Sequence, residues 1–443
     1  MTIKRTSLAL MTGFLAGCVP NQAFRTQGEV DCVSDFVGCK NALIEKYEKY
    51  DLAFIEFTDR GNLFSRTRYA HVLERIKKAA DADPGAAVIV FVHGWKHNAS
   101  FDDANVKSFR QMLKILSDNG LTFGRRPIGI YVGWRGLSVD MAGVKELTYW
   151  ERKAVAQEVG KGGVTEVLLR LRQVTAANRN LYVVVGHSFG GAIVLSALSE
   201  VLIDQMISAP ECVSDTCLEA IGFGHGVILL NPAIEATEGF QLKEASTSLD
   251  FPSSMKKLMH VISTDGDTAT HKLFPWGQKL NLFTWSRTNL QRQSGGKDLV
   301  LAESSMDTTT IGNFKAFRTA RLEQTPGQHK EWKISLCDKG DQCGLNDAEW
   351  EQHFDAAQND PLSFVSTDAS FIRDHNDIFN CNVTAYLAAV VESTRVRRKQ
   401  SPLNGCSANG QFDLLECFKA YHAILKGLRI QNEYPNFCPI QKL

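Results

Sequence analysis

From Tyr50 onward, short apolar runs alternate with stretches whose apolar residues recur at helical spacing. Leu52-Ala53-Phe54-Ile55-Glu56-Phe57 reads as a strand, and Asp59-Arg60-Gly61-Asn62 as the turn that ends it. Thr67 to Ala80 places Val72, Leu73, Ile76, Ala79 and Ala80 on one helical stripe. Val88-Ile89-Val90-Phe91-Val92 is wholly apolar, the pattern of a strand covered on both faces. Ile128 to Val132 and Leu181 to Val185 repeat it, with a long helical stretch from about Trp150 to Gln173 between them. Gly226 to Leu230 and Leu258 to Ile262 add two more. Strands alternating with helices predict an α/β fold, a mostly parallel central sheet with helices on both faces.

Between Trp276 and Leu362 the periodicity weakens, which reads as an insertion over the edge of the sheet or over the site. Beyond Cys381 come a helical segment, Tyr386 to Val396, and a cysteine-containing C-terminus. The expected organisation is a leader over 1–17, a tether over 18–49 and a main domain over 50–380. Within that domain the insertion spans about 276–362, and a C-terminal helical extension follows over 381–443. At 44% hydrophobic and 22% charged, the 443 residues have the balance of a folded globular chain, which excludes disorder, collagen and coiled coil. The 49 basic and 49 acidic side chains cancel. A basic stripe for nucleic acid is not expected.

The first residues depart from that pattern. Lys4 and Arg5 precede the apolar stretch from Leu8 to Ala16, as in a secretory leader. Leu15-Ala16-Gly17-Cys18 resembles a bacterial lipobox, in which Cys18 would carry the lipid and become the mature N-terminus; a cleaved leader with an incidental Cys18 is the alternative. Val19 rather than Asp follows, so retention at the inner membrane is not signalled. The expected location is the bacterial envelope, on the periplasm-facing side of the outer membrane, with lipid at Cys18 touching the membrane surface. Ten further cysteines, an even number, include the close pairs Cys212/Cys217 and Cys337/Cys343. In an oxidising compartment these read as loop disulfides of undetermined pairing. Neither CxxC nor HExxH spacing is present, so no metal site is expected.

The chemistry concentrates in Tyr182-Val183-Val184-Val185-Gly186-His187-Ser188-Phe189-Gly190-Gly191-Ala192. A G-x-S-x-G match is weak alone, but here an apolar strand runs into Gly186 and a small-residue helix leaves from Gly190. That context puts Ser188 on a tight turn, with the N–H groups and positive end of a helix beside it.

On these residues the chain resembles the α/β-hydrolase superfamily, on its esterase and lipase side. More narrowly it resembles a bacterial branch with a loop of the HG-aromatic-x-N kind (here His93-Gly94-Trp95, with Asn98 after Lys96 and His97), a GHSFGG elbow and a late HND segment. The resemblance spans roughly residues 50–380 and implies a triad in the order serine, acid, histidine. It makes Ser188 the nucleophile, and it makes the backbone N–H groups of Phe189 and Trp95 the oxyanion donors, with Gly94 allowing close approach. Asn98 then braces the loop and His93 is structural. For the acid, Asp267 fits the branch better than its neighbour Asp265, which also suits a turn cap; Glu235 is a distant third. Among His271, His329, His353, His375 and His422, the branch's loop matches Asp374-His375-Asn376-Asp377. His271 belongs with the acid's loop, and His329 and His353 read as surface. Gly129 to Gly136 either shapes the pocket or is a strand and its turn.

The implied activity is a serine hydrolase, most simply a carboxylic-ester hydrolase acting on a small-molecule or lipid acyl substrate, with no cofactor. Amidase, thioesterase or acyltransferase chemistry would use the same side chains. The contrasting reading is a non-catalytic envelope lipoprotein that keeps the fold for binding or assembly. Oligomeric state is not legible.

Overall fold

In the computed structural model the run Val88–Val92 lies near the middle of an eleven-stranded sheet. The structure describes residues 19–140, 148–212, 214, 217–218, 221–253, 255–275, 286–327, 329–338, 342–355, 359–396, 405–408, 411–427 and 437. The leader and Cys18 lie outside the described residues.

The strands are β1 (Gln27–Asp31), β2 (Ala42–Lys46), β3 (Asp51–Glu56), β4 (Ala86–Val92), β5 (Arg126–Gly133), β6 (Leu181–His187), β7 (Val227–Leu230), β8 (Met259–Thr264), β9 (Asn289–Ser294), β10 (Lys297–Ala302), β11 (Ala320–Gln324), β12 (Trp332–Leu336) and β13 (Leu362–Thr367). In space the large sheet runs β1-β2-β3-β5-β4-β6-β7-β8-β13-β11-β12, while β9 and β10 form a separate hairpin. Only the β2/β3 and β11/β12 pairs of the large sheet are antiparallel. The main helices are α1 (Arg66–Asp81), α2 (Ala104–Asp118), α3 (Tyr149–Val159), α4 (Thr165–Val174), α5 (Phe189–Ser208), α6 (Phe240–Ser248), α7 (Cys381–Val396) and α8 (Leu414–Gly427).

Two cores confirm helices on both faces. One joins Val88, Val90, Val184 and Leu229 to α1, α3, α4, α5 and α6. The other joins Phe91, Val183, Val185 and Ile228 to α2, α7 and α8. Adjacent residues of one strand thus feed opposite cores, which is why those strands are apolar throughout. By length and composition α5 with its 3-10 extension could cross a membrane. Its buried residues pack into the first core, the other environment in which a helix is apolar all round.

The structure redraws several expected boundaries. Residues 27–31 and 42–46 of the expected tether are strands at one edge of the sheet. Their charges hid them: Glu45 is fully buried, and its carboxylate takes hydrogen bonds from Arg25 (2.9 Å) and Arg110 (2.7 and 2.8 Å). Part of the expected insertion, β11 and β12, extends the sheet beyond β13. β11 buries Ala320 and Leu322 and leaves Arg321 and Glu323 partly exposed, the alternation of a half-covered strand. The C-terminal extension is part of the main domain, since α7 and α8 complete the second core. The helical stretch after Trp150 is two helices, broken where Gly162 leaves helical geometry (φ −87°, ψ −134°).

Candidate active site

Register brings the site together. Val92 at the end of β4 pairs with Gly186 near the end of β6, and His187 pairs with Leu230 at the end of β7. Thr264 at the end of β8 pairs with Thr367 at the end of β13. The loops after β4, β6, β7, β8 and β13 therefore open on one edge, outside the carboxyl ends of parallel strands, where such sheets place ligands.

Ser188 stands between β6 and α5 at φ 56° and ψ −121°. A non-glycine residue in that region costs on the order of 1–3 kcal/mol and persists only where its surroundings enforce it. Here the Ser188 N–H donates to the Leu230 carbonyl (3.1 Å), and its own carbonyl accepts from Gly191 (3.0 Å) and Ala233 (3.1 Å). A Cβ on Gly190 would lie 1.9 Å from the Val92 carbonyl oxygen, so only glycine fits where the elbow crosses β4. A Cβ on Gly94 would lie 2.8 Å from the Ser188 Cβ, which puts the β4 loop directly against the serine. Gly186 is equally crowded, its Cβ position 2.6 Å from the Gly190 carbonyl oxygen.

The Ser188 hydroxyl lies 2.8 Å from His375 Nε2, and His375 Nδ1 lies 2.6 Å from Asp267 Oδ2. Asp267 is fully buried in the loop after β8. Its Oδ1 accepts from the N–H groups of Ala269 (2.8 Å) and Thr270 (3.2 Å), and the Thr270 hydroxyl donates to Oδ2 (2.7 Å). Burial is the largest single influence on this carboxyl and pushes its pKa up. The His375 bond and charge, with the Thr270 bonds, outweigh burial and hold it below the usual range. A hydroxyl, an imidazole and a buried carboxylate are thereby linked in one line. Such an arrangement can lower the cost of removing a proton from the hydroxyl.

The other candidates fall elsewhere. Asp265 faces Arg321 (3.0 Å) at the surface, with its N–H on the Thr367 carbonyl. Glu235 is paired with Lys153. His271 is exposed and 4.0 Å from Asp265, and His329 is exposed as well. His353 is not a surface residue. It is fully buried, stacked on Trp350 (5.0 Å) and bonded to the Arg318 carbonyl, and burial lowers its pKa to about 4. The charged residues around it in sequence face outward while the imidazole turns under Trp350. His422 is buried against Phe418 and Trp332.

In the β4 loop, His93 is buried and accepts the Trp134 N–H at Nε2 (3.1 Å), with Nδ1 on the Gly94 carbonyl (2.8 Å). Asn98 Oδ1 accepts from the Ser100 N–H (2.8 Å). Gly129 to Gly136 is β5 and its turn, and Gly136 braces the same loop by accepting the Lys96 N–H (3.1 Å) and donating to the His97 carbonyl (3.2 Å). Among the described residues, the N–H groups of Trp95 and Phe189 donate to no backbone carbonyl outside regular helices and strands. The Trp95 ring packs edge-on against Tyr149 (5.2 Å), which packs against the fully buried Phe189 of the first core (4.8 Å).

Two residues that sequence reasoning passed over hold the histidine in place. His187 Nε2 donates to the His375 carbonyl (2.8 Å), and Asn231 Nδ2 donates to the same oxygen (3.3 Å). Burial, then the His375 charge, depress the His187 pKa well below the ordinary range, so it donates as a neutral ring. The signals were present: His187 occupies the variable place of the elbow, and Asn231 ends an apolar strand before Pro232. Among the described residues, one group of candidate metal donors occurs: Cys32, Cys39 and Glu45. Its sulfurs form a disulfide and its carboxylate is taken by Arg25 and Arg110.

A family model described as "Alpha/beta hydrolase of unknown function (DUF900)" matches residues 69–271, from α1 through the acid's loop. No curated protein matches the chain. Two solved structures of phospholipase PlaB from Legionella pneumophila, the first in complex with thio-NAD, align at 16% and 15% identity, each with a TM-score of 0.23. The alignments cover 57% of this chain and 49% and 50% of the phospholipase, so the chain spans about half of that protein's length. At that TM-score the likeness carries no weight for fold or activity. The parallel sheet, the strand–serine–helix elbow and the family match over residues 69–271 instead agree on one conclusion: this chain has the α/β-hydrolase fold.

Proposed function

We propose that the protein is a serine hydrolase that cleaves carboxylic esters through an acyl-enzyme. The observation that carries this reading is the unbroken line from Ser188 Oγ through His375 to Asp267, at 2.8 and 2.6 Å. His375 takes the hydroxyl proton at Nε2 as Oγ attacks the acyl carbon. Asp267 holds Nδ1–H and stabilises the imidazolium. The N–H groups of Phe189 and Trp95 hold the oxyanion, each such donor being worth ~3 kcal/mol in comparable sites. His375 then returns the proton to the departing alcohol, and water repeats the sequence to release the acid. The partly exposed, mutually packed rings of Trp95 and Tyr149 support an apolar acyl group. With a p-nitrophenyl ester of a short acid, the account expects a burst of nitrophenol equal to the enzyme present, followed by slower turnover. Absence of both burst and turnover in folded protein would refute it.

The same proposal places the protein outside the cytoplasm with lipid on Cys18. The leader pattern supports this, as do the disulfides Cys32–Cys39, Cys212–Cys217, Cys337–Cys343 and Cys406–Cys417. Labelled palmitate should enter the wild type and not Cys18→Ser, and a mature wild type without lipid would refute the anchor.

A further inference from the structure

Residues Val19 to Arg25 of the expected tether are seated on the domain rather than hanging from it. Phe24 and Arg25 each donate a backbone N–H to the Glu56 carboxylate (2.8 Å) at the end of β3. The Arg25 side chain is buried, with its guanidinium on the Ala99 carbonyl (2.6 Å), the Cys39 carbonyl (3.2 Å) and Glu45 (2.9 Å), 3.7 Å from the Phe54 ring centre. At the other end the Val19 N–H donates to the Ser138 carbonyl (2.8 Å), and the Val19 carbonyl accepts from Arg135 (3.0 Å). Cys18 joins the chain one peptide unit earlier, about 3.8 Å from Cα to Cα.

That seat lies on the edge of the sheet that carries the triad. Arg135 and Ser138 belong to the turn after β5, and a Cβ on its Gly136 would lie 2.9 Å from the Gly94 carbonyl oxygen. Gly94 in turn lies against Ser188. Ser188, Gly94 and Gly136 thus stand in series, and two residues of chain lead on to Ser138, a path of about 20 Å. The same turn holds the start of α3: the Ser138 hydroxyl donates to Glu151 (2.7 Å), and the Arg135 carbonyl accepts from Arg152 (3.0 Å). α3 opens with Tyr149 and Trp150, which like Trp95 are partly exposed. The three rings pack in a row, Trp95 on Tyr149 at 5.2 Å and Tyr149 on Trp150 at 5.0 Å. Trp and Tyr are the side chains that gather at the boundary between lipid and water.

Resting on the anchor and ester-hydrolase readings above, we propose that a lipid on Cys18 holds this edge of the sheet against the leaflet, and that the substrate is a glycerolipid of that leaflet. The anchor enters the bilayer beside the aromatic rings with no free linker between, so the opposite edge points away. The carboxylic esters within reach in a bilayer are those joining acyl chains to glycerol. Ser188 Oγ bonds to the acyl carbon, and its proton passes through His375 to the glycerol oxygen as the ester bond breaks. Water then frees the fatty acid and restores the hydroxyl. A soluble ester needs no such placement.

Orientation is read without catalysis. A fluorophore is attached to Asp140→Cys, exposed beside the seat, or to Lys78→Cys, exposed at the opposite edge near Pro84 and Arg126. The two edges are about 20 Å apart, the length of β4. With the lipidated protein on phosphatidylcholine vesicles doped with a headgroup-spin-labelled lipid, the Asp140 probe should be quenched several-fold more than the Lys78 probe. Equal quenching, or stronger quenching at Lys78, overturns the orientation. Inserting about twenty Gly and Ser residues between Cys18 and Val19 gives a linker of ~25 Å and leaves both Val19 hydrogen bonds in place. The difference in quenching should then shrink. Release of fatty acid from the vesicles should fall by a factor on the order of ten, with p-nitrophenyl butyrate turnover unchanged. Unchanged release overturns the role of the seat. A wild type that turns over the soluble ester but frees no fatty acid from vesicles overturns the glycerolipid assignment. If palmitate does not enter the wild type, the anchor reading falls and this inference with it. If a fluorophosphonate leaves Ser188 unlabelled while the quenching difference persists, the hydrolase reading falls and the orientation stands.

Discussion

Replacing Asp267 with Asn tests the hydrogen-bond logic of the site while barely changing its shape. In the wild type, Oδ1 is held by the N–H groups of Ala269 (2.8 Å) and Thr270 (3.2 Å), and Oδ2 faces His375 Nδ1 (2.6 Å). An asparagine carbonyl would keep the two N–H bonds, which leaves its NH2 group pointing at Nδ1. Nδ1 must then accept, so the ring proton moves to Nε2, the atom that should receive the serine proton. The Thr270 hydroxyl, which donates to Oδ2 at 2.7 Å, can rotate to accept, so the fold is expected to survive. A histidine locked in the wrong tautomer loses about 10⁴ in kcat in comparable triads, equivalent to ~5.4 kcal/mol of transition-state stabilisation. The assay is kcat on a short-chain p-nitrophenyl ester, with melting temperature measured alongside and Asp265→Asn as the control. Asp265 sits at the surface on Arg321 and should be dispensable. Asp267→Asn losing less than tenfold in folded protein, or Asp265→Asn losing as much, would refute the reasoning.

Gly190→Ala should be poorly folded, because its Cβ would sit 1.9 Å from the Val92 carbonyl oxygen; the unfolding free energy from urea titration should drop by at least the ~1–3 kcal/mol typical of overpacking. Glu45→Gln should destabilise by ~3–5 kcal/mol in urea unfolding, since it leaves Arg25 buried without its counter-charge. Burial lowers the pKa of His422 from 6.5 to about 4, so between those values the unfolded chain holds a proton that the folded chain does not. Its contribution therefore makes stability fall as pH drops through that window, by at most ~1.4 kcal/mol per pH unit, and His422→Phe should lessen, beside the other buried histidines, the slope of melting temperature against pH there.

The central strands were legible because their burial on both faces leaves continuous apolar runs, and the elbow because a strand, glycines and a small-residue helix surround Ser188. The edges were not. β2 contains Glu45, a residue that sequence reading assigns to solvent until Arg25 and Arg110 are seen to neutralise it. β11 shows a period of two, but five residues of half-buried strand inside a polar stretch are easily read as loop. In the site, Ser188, Asp267 and His375 were each nominated, yet the choice between Asp267 and Asp265 needed the turn after β8, which aims one carboxylate inward and the other at Arg321. The clamp by His187 and Asn231 on the His375 carbonyl joins residues 188 and 144 positions apart in sequence. Hydrogen bonds of that separation leave no local pattern.

Whether Ser188 is a nucleophile activated by His375 is read out by its covalent capture. Purified protein is treated with a fluorophosphonate and its mass is measured intact, then by peptide. A single adduct is expected on the peptide carrying Ser188, and none in Ser188→Ala of the same melting temperature. An unmodified wild type, or equal modification of Ser188→Ala, would contradict it.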